Sequence, residues 1–502
     1  MKSRNIYQTA FLCASILVEP AVAAPNYQPA GTDLTNGHGM QEGDLFSGLT
    51  NPATISMQPT SEIDYFAVAP SVGFAIEYGN VDDIFETIDE IAAKFGANDG
   101  SDSGSGGTGS GDPSDEVDSL FDVAKKILNE NVDLEKTLAE NPGLQDALVD
   151  VAVEFAVVGA LVTIMAEEAY AKADAQLDIP ILLGSDSSGG HWAVGINSSF
   201  TSKVFGLADV PAFNAADAEQ AVKDYLVAPD GTEPDQIDLS GGLILNVDSA
   251  TGSINSGEFS NESLLLTKVA QVDEFSLNYA RPVGKFDAGQ LHLGTKIKYL
   301  RVGLSQVGIR FGDVTDSEKI FNDLKNAKFE HEDNFGFDLG AAWNGETYNL
   351  GLALVNINQP KFEFSGISDD GLEKENILSE IQNHKKYVME SQAKLSAGLF
   401  TVDKRWSMNM GLDANGVEDV MLDASQWANI AGAYNSAGKY FSGARVGYRQ
   451  NLVGTELSYI SAGLTLFNFL NLDVASSLET VEINDTTLPR SFAVNLGIAQ
   501  SF

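Results

Sequence analysis

Cysteine is all but missing from this chain: Cys13 is the only one in 502 residues. It lies in a segment that reads as a cleavable leader, so the mature protein is left without a disulfide, a thiol nucleophile or a zinc–thiolate site. Positive charge is also scarce. Thirty Lys+Arg against 71 Asp+Glu leave a net charge of −41. That field repels phosphate backbones and excludes nucleic acid as a general partner. Long hydrophobic runs are absent. The most apolar stretch, Val151 to Ala166, is interrupted by Glu154 and Thr163. It falls short of the ~20 residues a spanning helix needs and reads instead as a buried helix. The five histidines, His38, His191, His292, His331 and His384, form no H-E-x-x-H, and no G-x-S-x-G or P-loop is present. No catalytic, cofactor or metal residue is assigned, and an enzyme is not expected. Asp413, Asn415, Glu418 and Asp419 lack EF-hand spacing and read as a solvated external loop. The 43% hydrophobic content excludes wholesale disorder.

The N-terminus carries Lys2 and Arg4, an apolar stretch from Thr9 to Val18, and then Pro20-Ala21-Val22-Ala23-Ala24. Ala21 and Ala23 fit an A-x-A cleavage site, which makes residues 1–23 a signal peptide. Residues 24–61 are polar with weak periodicity. Residues 82–174 read as helical, beginning with Ile84, Phe85, Ile88 and Ile91 on one stripe. The flexible linker Gly104 to Gly111 follows, then a helix capped by Asp112 and opened by Pro113, and a third helix from Asn141 to Ala173.

From there to Phe502 the period is two. Phe335, Phe337, Leu339, Ala341 and Trp343 alternate with Gly336, Asp338, Gly340 and Ala342. A soluble sandwich alternates as well, so the aromatics and turns decide. Trp343 and Tyr348 flank Asn344-Gly345, Phe400 and Trp406 flank Val402 to Arg405, Tyr434 and Tyr440 flank Asn435 to Lys439, and Phe467 and Phe469 sit at another turn. Aromatics gathered at one end of successive hairpins form a membrane girdle, and the opposite ends carry long loops. Candidate strands start near Ile63, Gln176, Gly190, Leu264, Gln290, Asn334, Tyr348, Lys394, Trp406, Trp427, Tyr440, Glu456, Asn471 and Leu488. This even number puts both ends and every short turn on the periplasmic side. Asp238 to Val247 is assigned to an external loop to keep that parity. The chain ends in alternating Phe492, Val494, Leu496 and Ile498 and a terminal Phe502, which resembles the assembly signal of bacterial outer-membrane barrels. The expected fold is an all-β transmembrane protein, a 14-stranded antiparallel outer-membrane β-barrel with residues 62–502 as the barrel. Its partners would be outer-membrane lipids and the barrel-assembly machinery.

Leu49-Thr50-Asn51-Pro52-Ala53 precedes the first strand. An Asn-Pro-Ala motif there resembles the FadL-type channel superfamily, and a long insertion after strand one is similar in layout to its TraF-type conjugal-transfer branch. The resemblance implies an N-terminal hatch, residues 24–61, with Asn51, Pro52 and Ala53 inside the barrel, and the helical insertion outside. It also implies a passive channel for apolar or small solutes. The alternative is a conjugal-transfer interaction protein that presents the insertion to a transfer apparatus. His292, Lys296, Lys298, Arg445 and Arg449 are lumen candidates. The last four could bias the lumen toward anions, but pairing with lumen acids such as Asp338 and Asp413 is the simpler expectation.

Overall fold

The computed structural model describes residues 31–37, 45–57, 65–80, 132–133, 169–185, 189–207, 220–221, 224, 236–238, 243–248, 253–259, 264–310, 330–365, 375–383, 385–436, 438–483 and 486–501. The expected leader, Phe502, and the expected helices within 82–168 lie outside these residues.

Alternating sequence becomes fourteen strands: β1 in two halves, Tyr65–Val68 and Ser71–Tyr78; β2, Tyr170–Ser185; β3, Gly190–Leu207; β4, Leu264–Phe286; β5, Gly289–Arg310; β6, Glu330–Asn344; β7, Tyr348–Val355; β8, Gln392–Phe400; β9, Trp406–Asp413; β10, Trp427–Asn435; β11, Phe441–Asn451; β12, Ser458–Leu466; β13, Leu470–Ser477; and β14, again in halves, Ser491–Ile498 and Gln500–Ser501. Each pairs antiparallel with its neighbours in the chain, and β14 closes onto β1, with Ser71 opposite Gly497 and Ala67 opposite Ser501. Closure leaves the wall no free edge, which a strand needs in order to stand in hydrocarbon.

Side-chain polarity is inverted relative to a soluble sandwich. Leu293, Ile297 and Tyr299 of β5 point outward and are exposed, while His292, Lys296 and Lys298 between them are buried in the lumen. The same holds around the ring, with exposed Leu350, Leu352 and Leu354 on β7 and Phe492, Leu496 and Ile498 on β14. From Phe335 to Trp343 the apolar face of β6 rises about 21 Å, taking ~3.4 Å per residue and a tilt of about 40°. The aromatic belt runs along the short-turn end. Trp192 meets Tyr279 at 4.7 Å, Phe286 meets Trp343 at 5.5 Å, Trp406 meets Tyr434 at 4.7 Å and Tyr440 meets Phe467 at 6.1 Å. At the long-loop rim Tyr299 packs edge-on against Phe335 and donates to Asp333 at 2.8 Å.

Several boundaries differ from those read from alternation. β2 begins at Tyr170, not Gln176, so the strand claims residues 170–174 from the expected insertion. Ala171, Ala173 and Ala175 are short enough to look helical, yet Lys172 and Gln176 are buried in the lumen. Leu488 belongs to the hairpin Thr480–Ile483/Thr486–Pro489, and the last barrel strand starts at Ser491. The stretch Asp238 to Val247 stays out of the barrel. Gln236–Asp238 and Leu243–Asp248 join Ser253–Phe259 and Val132–Asp133 in a separate four-stranded sheet. That sheet links the β3–β4 loop to the chain between β1 and β2.

Candidate functional site

The lumen is filled from both ends. From the chain's start, short helices Asp33–Asn36 and Ser47–Thr50 and the 3-10 turn Pro52–Met57 sit inside the wall. Asn51-Pro52-Ala53 docks where the wall has no side chains. A Cβ on Gly294 would lie 2.5 Å from the Ala53 nitrogen, and one on Gly340 would lie 2.2 Å from Asn51 Oδ1. Asn51 Nδ2 donates to the wall carbonyls of Ala341 and Leu352 at 3.2 and 3.4 Å, and its Oδ1 accepts from Ala53 N at 3.0 Å. Pro52 has no N–H to leave unsatisfied at the start of the turn.

Most of the lumen candidates face this segment. His292 Nδ1 lies 2.7 Å from Ser56 Oγ. Lys296 donates to Leu49 O at 3.0 Å and pairs with Glu274 at 2.8 Å. Arg445 holds Asp473 through two bonds, at 2.9 and 2.7 Å, and Thr35 Oγ1 donates to the same carboxylate at 2.6 Å. Lys298 pairs with Asp338 at 2.7 Å. Arg449 lies over the Trp427 and Tyr459 rings, 4.9 and 4.6 Å from their centroids. Asp413 is engaged by Lys394 at 3.2 Å.

From the other end two loops fold in. The β7–β8 loop contributes the hairpin Lys361–Glu363/Lys386–Val388 and the helix Glu375–Asn383. The β9–β10 loop contributes the hairpin Val417–Glu418/Ala424–Ser425. Phe362, Phe364, Tyr387, Met389, Val420 and Met421 join Val272, Leu300, Val302 and Leu304 of the wall in one apolar cluster. The expected solvated loop is therefore corrected at two of its four residues: Asp413 is fully buried in the lumen and Asp419 is packed inside it, while Asn415 and Glu418 are exposed as expected.

A latch spans the mouth. Lys172 of β2 bonds Asp419 and, at 2.9 Å, Asp423, and Lys203 of β3 bonds Asp423. In a ring of fourteen, β2 and β3 stand diametrically opposite β9 and β10, so the hairpin crosses the whole lumen to reach its lysines. Burial alone would raise the Asp423 carboxyl, but Lys172 and Lys203 outweigh it and hold Asp423 below the ordinary carboxylate value of 3.8. At Asp419 burial wins over the pull of Lys172, and its carboxyl is raised. Glu418 is raised too, by burial and then by Glu390 and Asp419. The sequence reading missed Lys172, Lys203, Asp419 and Asp423 as partners. A β2 that starts at Gln176 leaves Lys172 in the insertion, and nothing local ties a β9–β10 loop to the opposite wall.

Between the N-terminal segment and the infolded loops lies a chamber of about 200 Å³, reached by Leu49 and Thr50 from below and by Tyr387, Met389, Val417 and Glu418 from above. A second, apolar gap of about 10 Å³ separates Leu45, Leu49 and Ile55 from Pro180, Leu182, Ala193 and Gly195 in the wall. Among the described residues no cluster of His, Cys, Asp or Glu is arranged to hold a metal ion.

The family model described as "F plasmid transfer operon, TraF, protein" matches residues 48–413, from just before the Asn-Pro-Ala docking turn to the end of β9. No curated protein matches the chain. Among solved structures, a Pseudomonas aeruginosa FadL homologue is 10% identical over 96% of this chain and 99% of its own, with a TM-score of 0.37. The Pseudomonas putida toluene transporter TodX is 10% identical over 96% and 99%, with a TM-score of 0.35. A TodX monoaromatic hydrocarbon channel with the deltaS2S3 mutation is 10% identical over 94% and 98%, with a TM-score of 0.40. Superpositions this loose carry no functional assignment, and the barrel stands on the chain's own strand pairing.

Proposed function

The chain belongs to the family of the F plasmid transfer operon protein TraF, and from that premise we propose that it is a passive outer-membrane channel for small solutes, closed here by its own N-terminal segment acting as a hatch. The observation that carries this reading is the docking of Asn51–Ala53 onto the bare backbone at Gly294 and Gly340. A segment that meets the wall through a few hydrogen bonds and glycine gaps can leave without unfolding the barrel. The apolar arm of the expectation is the weaker one. The apolar gap at Pro180 and Gly195 holds about 10 Å³, room for one water-sized sphere, whereas the larger chamber is lined by charge. Residues 1–23 act as a signal peptide in this reading, with the long loops outside the cell.

The test is a reversible lock. Ala53 and Ala342 pack together, and the mature chain has no cysteine of its own, so Ala53→Cys with Ala342→Cys ties the hatch to β6. In liposome-swelling assays the reduced pair should pass small solutes and the oxidised pair should not. Equal flux in both states would refute the hatch; no flux in either state or in the parent protein would refute the channel.

One observation favours a second role. The four-stranded sheet fastens the β3–β4 loop to Val132–Asp133 of the long insertion, giving a module outside the barrel that a transfer apparatus could contact. Deleting residues 82–168 should leave flux intact and abolish contact if that role holds.

A further inference from the structure

We propose that the chamber between the hatch and the infolded loops is a binding site for a small organic cation, a short carbon frame bearing one primary ammonium group. This rests on the channel reading for its biological setting, but the site itself is argued from its lining.

Size sets the first limit. At about 200 Å³ the chamber is somewhat larger than the ~150 Å³ engineered cavity that takes up benzene, so a ligand of several heavy atoms fits. Charge sets the second. Carboxylates lining the chamber outnumber cations seven to four, and the cations are engaged. Lys296 is held by Glu274, Lys298 by Asp338 and Lys394 by Asp413. Arg449 is stacked on Trp427 and Tyr459. An anion entering would find no uncommitted cation. At the solvent-facing end Glu390 and Glu418 stand together, the Glu418 N–H donating to Glu390 Oε2 at 3.3 Å. An acidic entrance of this kind concentrates cations and turns anions away.

The third observation is independent of the acids. Asn197 is only 5% exposed, lines the chamber, and its Oδ1 has no hydrogen-bond partner. It is the cross-strand neighbour of Glu274, so a buried carbonyl acceptor lies beside a buried carboxylate. A lone acceptor calls for a donor. An ammonium group supplies three N–H donors and a positive charge that suits the excess of carboxylates in the lining, whereas a hydrocarbon supplies neither. The carbon frame has Met389 and the Tyr387 ring to lie against.

Trp427, in the chamber lining, provides the readout. The other tryptophans, Trp192, Trp343 and Trp406, stand on the outer belt. Purified full-length protein in detergent is titrated with n-butylamine, n-butanol and butyrate, following tryptophan fluorescence and heat. Saturable binding of the amine alone is the expected result. Asn197→Leu should weaken it about tenfold, one hydrogen bond's worth, with heat-modifiable gel mobility confirming that the barrel is intact. Glu418→Gln, at the solvent-exposed entrance, should slow amine association at low salt. Butanol or butyrate binding as well as the amine would overturn the proposal, and so would an Asn197→Leu barrel that folds and binds the amine unchanged. Equilibrium binding needs no flux. A protein that binds the amine but passes nothing upholds the site and sinks the channel, and one that passes solutes without binding the amine does the reverse.

Discussion

Replacing Lys172 by methionine removes the cation that the β9–β10 hairpin crosses the lumen to meet. The Lys172 side chain is 0% exposed and serves both Asp419 and Asp423. Methionine fills much of the same volume, so the loss is electrostatic: Asp419 is left buried without a cation, while Asp423 keeps Lys203. Breaking a buried pair from one side destabilises by about 3–5 kcal/mol. If that energy acts on the closed hairpin, its open population rises by about two to three and a half orders of magnitude. Cys13 is the chain's only cysteine, so a Cys13→Ser background gives a clean assay. Val420 is buried in the apolar cluster beneath the latch, so a Val420→Cys thiol reacts with maleimide only when the hairpin lifts. The labelling rate should rise by that factor in Lys172→Met. It should return most of the way in Lys172→Met with Asp419→Asn, which leaves one lysine facing one carboxylate. A labelling rate unmoved by Lys172→Met, or a double variant as fast as the single, would refute the latch.

Other consequences are more local. Gly340→Val places a Cβ 2.2 Å from Asn51 Oδ1 and 2.9 Å from the Ala53 nitrogen; overpacking of about 1–3 kcal/mol should displace the N-terminal segment and, if that segment is the hatch, raise single-channel conductance while heat-modifiable mobility stays. Asn51→Asp exchanges the donor facing Ala341 and Leu352 for a carboxylate oxygen, so conductance should rise more than in an isosteric control at exposed Asn415. Acid should loosen the latch. Asp423 titrates below its ordinary 3.8, so its contribution is complete above that value and is lost as the pH falls toward the depressed one. Val420→Cys labelled with an acid-tolerant disulfide reagent should therefore accelerate below about pH 4, and a flat profile from pH 6 to 2 would contradict the pairing.

The barrel was legible because its determinants are local. A strand in a bilayer repeats every two residues, its ends carry aromatics, and its turns alternate short and long. Phe335 to Trp343, the Asn344-Gly345 turn and the girdle at Trp406 and Tyr434 could each be read in a window of ten residues. Errors fell where local signals are ambiguous. Ala171, Ala173 and Ala175 suit a helix as well as a wall, and Thr486–Pro489 is as strand-like as β14 itself. The Asn-Pro-Ala turn could be found by its residues, but the gaps that receive it are Gly294 and Gly340, far along the chain.

Alternation, with the girdle aromatics and the short and long turns, thus determined that this chain is a membrane barrel with a polar interior, because hydrocarbon outside and water within impose the same choice on every residue in turn; the strand count of fourteen rested on parity until the strand pairing closed the ring. Only the tertiary structure decided what fills that interior. Lys172 and Asp419 are 247 positions apart, and they meet because a ring of fourteen strands sets β2 across from β9. Asn197 and Glu274 share the chamber wall because β3 lies beside β4. Such meetings depend on ring geometry and on loops without periodicity, and no one-dimensional pattern carries either.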